Sequence, residues 1–342
     1  MNLGIVGCGE VAKEHLRALR SVRGINVVAL CDKDEKTSER MSREWNVKAH
    51  YTQYSEMLDE EDLSIVSVLT PPQFHIPIAV EAIKRGVHVV IEKPLTMKAN
   101  EANLLLEALK GSSVKLTVNH IMLFSKVMTE ASRLIRSGRI GDVLGVEVAF
   151  LGTQDDLMAS NQSHWCHKLP GGRLGEMLPH PIYAAQSVLD DELSVDSIVA
   201  EKRGKYPWMK YDELKAVLRG QKNGWADIYV SFNAARPVID IGVFGTRKML
   251  KIDMINQTLV ELGERSLSKV DSARDLLGQS SDLFLSLVKN TIGFLGASRM
   301  EYSLRNMYVS FLDSITNGTD PVVTPRMACE TVRITEEICN RI

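Results

Sequence analysis

The 342-residue chain lacks the features that would tie it to a membrane, to nucleic acid or to a disulfide framework. No apolar run approaches the roughly 20 residues that a membrane-crossing helix needs. Net charge is −2, from 41 Lys and Arg against 43 Asp and Glu, and no basic stripe stands out; nucleic acid is therefore not an expected partner. The cysteines, at 8, 31, 166, 329 and 339, are odd in number and widely spaced, which fits a reducing compartment. Nothing before the first apolar run resembles a signal peptide, so the cytoplasm is the expected location. A G-x-S-x-G elbow is missing, which leaves a serine hydrolase without support. His164-Trp165-Cys166-His167 fits no standard zinc spacing and has no second ligand cluster, so no metal is expected. Internal repeats and low-complexity tracts are also absent. The apolar fraction of 44% and charged fraction of 25% are ordinary for a globular protein, and the length suggests two domains.

What is present begins at once. Leu3-Gly4-Ile5-Val6 reads as a buried strand and runs into Gly7-Cys8-Gly9-Glu10-Val11-Ala12, a G-x-G-x-x-A turn. Ala12, Leu16 and Leu19 then recur at helical spacing, and a second apolar strand, 25–30, ends in Cys31-Asp32. A strand, a glycine turn, a helix and an acid roughly 20 residues on form a dinucleotide-binding unit. Gly7 permits the tight turn, Gly9 lets backbone approach a pyrophosphate, and Ala12 allows close helix–strand packing. The helix N-terminus, with the amides of Glu10 and Val11, offers N–H groups to phosphate. Asp32 can accept hydrogen bonds from both ribose hydroxyls, which favours NAD; Lys33 and Lys48 leave NADP open.

Alternation continues to about residue 120. Strands are expected at 63–69, 87–91 and 114–118, with helices at 76–83 and 100–109, which implies a parallel sheet with right-handed crossovers. Ligands on such sheets bind beyond the carboxyl ends of the strands. Gly7–Ala12, Asp32, Thr70–Pro72, Glu92–Pro94 and Asn119–His120 all fall at those ends and are expected to line one crevice. After 120 the pattern changes: helices at 128–135 and 174–189, a strand at 143–151, and alternating strand-like runs over 193–260 that suggest a mostly antiparallel sheet. Helical patterns return at 276–288, 304–315 and 327–342. The polar stretches 153–163 and 263–280 read as the least ordered.

Lys93 directly follows a strand, between Glu92 and Pro94, where it can hydrogen-bond a substrate hydroxyl and exchange its proton. Glu176 and His180 are four apart, on one face if the helix is continuous, and a carboxylate can orient an imidazole for proton transfer. Pro179 interrupts that helix and makes residue 178 a candidate boundary. Trp165, His167 and Arg173 are candidate ligand contacts.

These residues together resemble the glucose–fructose oxidoreductase / inositol dehydrogenase / rhizopine catabolism (Gfo/Idh/MocA) family. Gly4 to Gly9 looks like its opening, Thr70-Pro71-Pro72-Gln73-Phe74-His75 like its Thr-Pro-x-x-x-His segment, and Glu92-Lys93-Pro94 matches its Glu-Lys-Pro signature. Residues 171–180 are similar to its G-G-G-x-L-x-D-x-G-x-H segment. The resemblance implies an α/β protein. A Rossmann domain with a doubly wound parallel sheet would span 1–121. A substrate-binding and oligomerisation α/β domain with a large, mostly antiparallel open sheet would span 122–342. It implies hydride transfer between NAD(P) and a sugar, polyol or nucleotide-sugar alcohol, and a homodimer or homotetramer through the sheet. Lys93 and His180 would be catalytic, with Glu176 in place of the usual aspartate. Gly7, Gly9, Glu10, Val11, Asp32, Thr70, Pro71, His75, Glu92, Lys93 and Asn119 would hold the cofactor, and His120, Trp165, His167, Arg173 and Tyr183 the substrate. Leu178-Pro179, Tyr183 and Asn119-His120 depart from the family pattern. Two alternatives stay open: a glycoside-cleaving enzyme with tightly held NAD, and a non-catalytic NAD-sensing regulator of the kind the fungal galactose repressor exemplifies.

Overall fold

In a computed structural model that describes residues 1–222, 224–263, 268–293 and 298–342, the apolar runs near the N-terminus become buried strands. The elements run β1 (Asn2–Val6), α1 (Glu10–Leu19), β2 (Asn26–Cys31), α2 (Glu35–Trp45), β3 (Ala49–Tyr51), α3 (Tyr54–Glu60), β4 (Ile65–Val68), α4 (His75–Lys84), β5 (His88–Ile91), α5 (Ala99–Leu109) and β6 (Leu116–Val118). There follow α6 (Lys126–Arg136), β7 (Val143–Leu151), α7 (Leu157–Ser160), α8 (Gly172–Met177), α9 (Pro179–Leu189), β8 (Leu193–Glu201), β9 (Glu213–Gly220) and β10 (Trp225–Ser231). The chain ends with β11 (Val238–Gly245), β12 (Met249–Asp253), β13 (Thr258–Leu262), α10 (Lys269–Gly293), α11 (Arg299–Asn317) and α12 (Pro325–Arg341).

Contacts divide the chain into two units, Met1–Phe124 with Ser298–Arg333, and Ser125–Ala297 with Ile334–Ile342. The expected first boundary at 121/122 lies close to this division. Residues 298–333, assigned from the sequence to 122–342, belong with the N-terminal unit. The reason is the apolar stripe Leu304, Met307, Tyr308 and Phe311 of α11, which packs on α1 and is buried there.

In the first unit six parallel strands are ordered β3-β2-β1-β4-β5-β6. The order reverses between β1 and β4, the switch point at which such sheets bind ligands. The stretch 33–62, left blank by periodicity, supplies α2, α3 and the edge strand β3. Strand β3 has three residues, too few to show a period, and α2 buries only Ser38, Met41 and Ser42.

In the second unit seven strands are ordered β13-β12-β11-β7-β10-β9-β8. Only the β7–β10 pair is parallel. Val146, Val148, Ala226, Ile228, Ile241 and Val243 make one buried face, which α9 covers at β7 and β10. The helix expected over 174–189 is two helices meeting at Leu178, with Pro179 first in α9, where its missing N–H is no loss. Residues 153–163 hold α7, capped by the Asp156 carboxylate. In the other stretch read as least ordered, residues 264–267 lie outside those described, and α10 begins at Lys269.

Candidate functional site

In the first unit the carboxyl ends of the parallel strands carry the site residues to one edge of the sheet. Gly7–Gly9 follows β1, Asp32 follows β2, Thr70 and Pro71 follow β4, Glu92 and Lys93 follow β5, and Asn119 and His120 follow β6. Gly7 has φ +98°, and a Cβ there would lie 2.7 Å from the Leu69 carbonyl, so only glycine closes this turn against β4. The Gly7 N–H reaches back to the Cys31 carbonyl at 2.8 Å. A Cβ on Gly9 would meet nothing within 4 Å, which leaves open approach to the N-terminus of α1. No side chain caps that helix, and Glu10 and Val11 stand exposed at its start. Asp32 Oδ2 accepts the Cys8 N–H at 2.8 Å, and Oδ1 accepts the Asp34 N–H at 3.0 Å. The acid therefore shapes the turn and keeps lone pairs for further donors. Burial, with the Asp32 charge second, pushes the Cys8 thiol up to about 12, which keeps it protonated and unreactive.

On this edge Thr70 Oγ1 and Asn119 Oδ1 are buried and have no hydrogen-bond partner among the described residues. Buried polar groups are seldom left so. The open ground over Gly9, the Asp32 carboxylate and these two acceptors fit a dinucleotide laid across the strand ends. Glu10 and Val11 would offer amides, and Thr70 and Asn119 polar contacts.

Other residues assigned to the cofactor hold the edge in shape. His75 is fully buried; its Nε2 donates to the Thr70 carbonyl at 2.6 Å, and its Nδ1 faces the Pro94 and Leu95 carbonyls at 3.1 and 3.2 Å. It joins the Thr70–Pro72 turn to the turn after Lys93, and its ring is taken up by backbone. The Lys93–Pro94 bond within that turn is cis. Glu92 accepts from His15 Nε2 at 2.8 Å, from Asn119 Nδ2, and through its second oxygen from the Lys93 N–H at 3.0 Å. Burial alone would raise the Glu92 carboxyl, but hydrogen bonds from His15 and Asn119 and the charge of Lys93 hold it below the usual carboxylate range.

The second unit holds the other assigned residues. The His180 ring shares a 2.8 Å hydrogen bond between Nδ1 and the Tyr183 hydroxyl and stacks on Phe150 at 5.5 Å. Tyr183, expected as a substrate contact, is fully buried with its hydroxyl against this ring. Glu176 is taken by Arg173, which also holds Asp156 through two 3.1 Å hydrogen bonds and lies over the Phe232 ring. With 5% of its surface exposed, Arg173 clamps the Asp156 and Glu176 carboxylates together. Leu178, itself in helical conformation, joins α8 to α9; Glu176 lies on the first and pairs with Arg173, and His180 lies on the second and pairs with Tyr183. His167 Nε2 donates to the Met158 carbonyl at 3.0 Å, and His164 Nδ1 accepts from the Cys166 N–H, so both histidines hold backbone. Trp165 is 47% exposed. Among the described residues no three His, Cys, Asp or Glu side chains are grouped to hold a metal, and no helix is long and apolar enough to cross a membrane.

His15, Tyr308 and Asp156 were not found from the sequence. A signal existed for the first two, since each is a polar residue inside an apolar helical stripe: Ala12-His15-Leu16-Leu19 and Leu304-Met307-Tyr308-Phe311.

Residues 1–120 match the model for an oxidoreductase family with the NAD-binding Rossmann fold, and residues 128–251 match the GFO/IDH/MocA C-terminal domain. An oxidoreductase of Formosa agariphila is 33% identical over 189 residues, 53% of this chain and 58% of that protein. D-Apiose dehydrogenase of Paraburkholderia graminis is 26% identical over 151 residues, 44% of this chain and 40% of that protein. The chain thus spans about half the length of the curated relatives it matches. A levoglucosan dehydrogenase solved with NADH and levoglucosan has a TM-score of 0.81 at 18% identity, covering 100% of this chain and 97% of that one, a likeness of fold. With a glycine turn at the switch point of a 3-2-1-4-5-6 sheet and both family models matched in order, the chain belongs to the Gfo/Idh/MocA oxidoreductase family.

Proposed function

We propose that the chain is an NAD-dependent dehydrogenase or reductase that moves a hydride between nicotinamide and a secondary alcohol of a sugar, polyol or nucleotide-linked sugar. The observation that carries this reading is Lys93 at the carboxyl end of β5, on the sheet edge that also bears the Gly7–Gly9 turn and Asp32. In the oxidative direction a carbinol loses a hydride from carbon and a proton from oxygen. NAD, when bound, is the hydride acceptor. Lys93 hydrogen-bonds the hydroxyl, and Lys93 or His180 takes the proton. Tyr183 and Phe150 keep the His180 ring in one orientation, and Arg173 pairs with Glu176. Asp32 selects NAD over NADP by repelling a 2′-phosphate. Gly7, Gly9, Glu10, Val11, Thr70, Pro71 and Asn119 complete the cofactor set, with His75 and Glu92 supporting it. Trp165, His167 and His120 belong to the substrate side. The unit Met1–Phe124 with Ser298–Arg333 serves the cofactor, and the unit Ser125–Ala297 with Ile334–Ile342 serves substrate and self-association as a homodimer or homotetramer. The enzyme works in the cytoplasm.

NADH absorbance with purified protein, NAD and a panel of sugars, polyols and nucleotide sugars tests this reading. A signal is expected with at least one class. Lys93→Ala should lower it by at least about 100-fold while leaving NAD affinity nearly unchanged. Turnover retained in Lys93→Ala would overturn the assignment.

A further inference from the structure

We infer that His15 and Tyr308 are positioning residues for Lys93, acting through Glu92 along a buried hydrogen-bonded chain, Ser67–Tyr308–His15–Glu92. The role rests on the assignment of Lys93 under the proposed function; the chain itself does not. Ser67 lies on β4, Tyr308 on α11, His15 on α1, and Glu92 directly follows β5. Ser67, Tyr308 and His15 have no exposed surface. Ser67 Oγ is 2.8 Å from the Tyr308 hydroxyl, that hydroxyl is 2.6 Å from His15 Nδ1, and His15 Nε2 is 2.8 Å from Glu92 Oε1.

With the imidazole neutral, the direction of every proton follows from the far end. An ionised carboxylate only accepts, so His15 carries its proton on Nε2. Its Nδ1 is then an acceptor for the Tyr308 O–H, and the Tyr308 oxygen accepts from Ser67. Hydrogen bonds aligned in this way polarise one another. The chain ends on a carboxylate whose other oxygen takes the Lys93 N–H at 3.0 Å. Glu92 cannot turn without breaking bonds to α1, to the end of β6 and to the backbone of Lys93 itself.

The cost of this arrangement argues that it does more than hold the core together. Burying a carboxylate and an imidazole is expensive, and apolar side chains of the same volume stabilise a core at least as well. What they cannot do is set the angle of a carboxylate and, through it, the backbone from which a lysine projects. Glu92 and the residues behind it do this. The residue that completes the chain, Tyr308, comes from a segment more than 200 positions downstream.

The test uses the full-length protein and the variants Tyr308→Phe, His15→Leu and His15→Gln. Phe keeps the ring and removes one oxygen. Gln can donate to Glu92 and accept from Tyr308, whereas Leu can do neither. In proton NMR spectra the wild type is expected to show exchange-protected downfield signals from His15 Nε2–H and Tyr308 O–H. Tyr308→Phe should lose the second and shift the first, a readout that needs no turnover. With a substrate from the panel, Tyr308→Phe and His15→Leu should lower kcat about tenfold and leave both KM values within about twofold, as expected for a misplaced catalytic group. His15→Gln should recover most of the rate. Turnover that survives Lys93→Ala overturns the functional reading on which the role rests. Turnover that depends on Lys93 yet is unchanged in Tyr308→Phe overturns this inference alone. So do missing downfield signals in the wild type, or equal losses in His15→Leu and His15→Gln.

Discussion

Burial pushes the His120 imidazole down to about 3, with the Glu92 charge opposing that shift. The unfolded chain takes a proton at this residue below about 6.5, whereas the folded chain keeps it neutral. The contribution of His120 to stability is therefore complete above the unfolded value and drains away as pH falls from about 6.5 toward 3, by up to about 1.4 kcal/mol per unit. His120→Phe, which keeps an aromatic ring and removes the titrating group, should remove this slope. Denaturant titrations at pH 7 and pH 4.5 should show the wild type losing about 2–3 kcal/mol more than the variant. Equal losses would mean that the folded state protonates His120 freely. Gly7 was legible from spacing alone, because a turn against a neighbouring strand has a steric requirement that only one residue type meets. His15 was not, because a histidine in an apolar stripe names no partner until Glu92 and Tyr308 are brought to it.

Among the elements, α8 and its neighbours show how a loop is held without regular structure. The Asp156 carboxylate caps α7 through the Ala159 N–H at 2.7 Å and grips Arg173 by two hydrogen bonds. Arg173 in turn holds Glu176. Burial would raise the Asp156 carboxyl, but Arg173 and the helix amides hold it below the usual range. Asp156→Ala should cost about 2–3 kcal/mol through the lost cap and the half-uncovered guanidinium, read as a lower Tm by calorimetry. An unchanged Tm would show the clamp to be idle. Proline at 179 made a helix boundary legible. The consequence for Glu176 did not follow, since its choice of Arg173 depends on Asp156 coming from a loop with no period to read.

For the whole molecule, the face of the seven-stranded sheet away from α9 is the surface proposed for self-association. Trp225 and Phe244 stack at 5.8 Å above Gly145, and Met249 continues the row across β10, β7, β11 and β12. Trp225 is 40% and Met249 36% exposed, so both present apolar surface on this face. Light scattering after size exclusion should find a dimer or tetramer. The double variant Trp225→Lys, Phe244→Lys should weaken association at least about 100-fold, as loss of central aromatic anchors does. A monomeric wild type would overturn the proposal.

By itself the sequence determined the parallel β-α-β unit, the glycine turn with its acid, the lysine at a strand end and the change to an antiparallel sheet. Each is a local matter, decided by steric freedom, hydrophobic period or chain direction over a few residues. Only the tertiary structure decided that residues 298–333 return to the N-terminal unit, that Arg173 and Tyr183 are buried on polar partners, that His75 holds backbone, and that a serine, a tyrosine and a histidine stand behind Glu92. These depend on which buried polar group reaches which partner across long stretches of chain. That pairing is set by the cost of leaving such a group unsatisfied, a cost that no window of sequence contains.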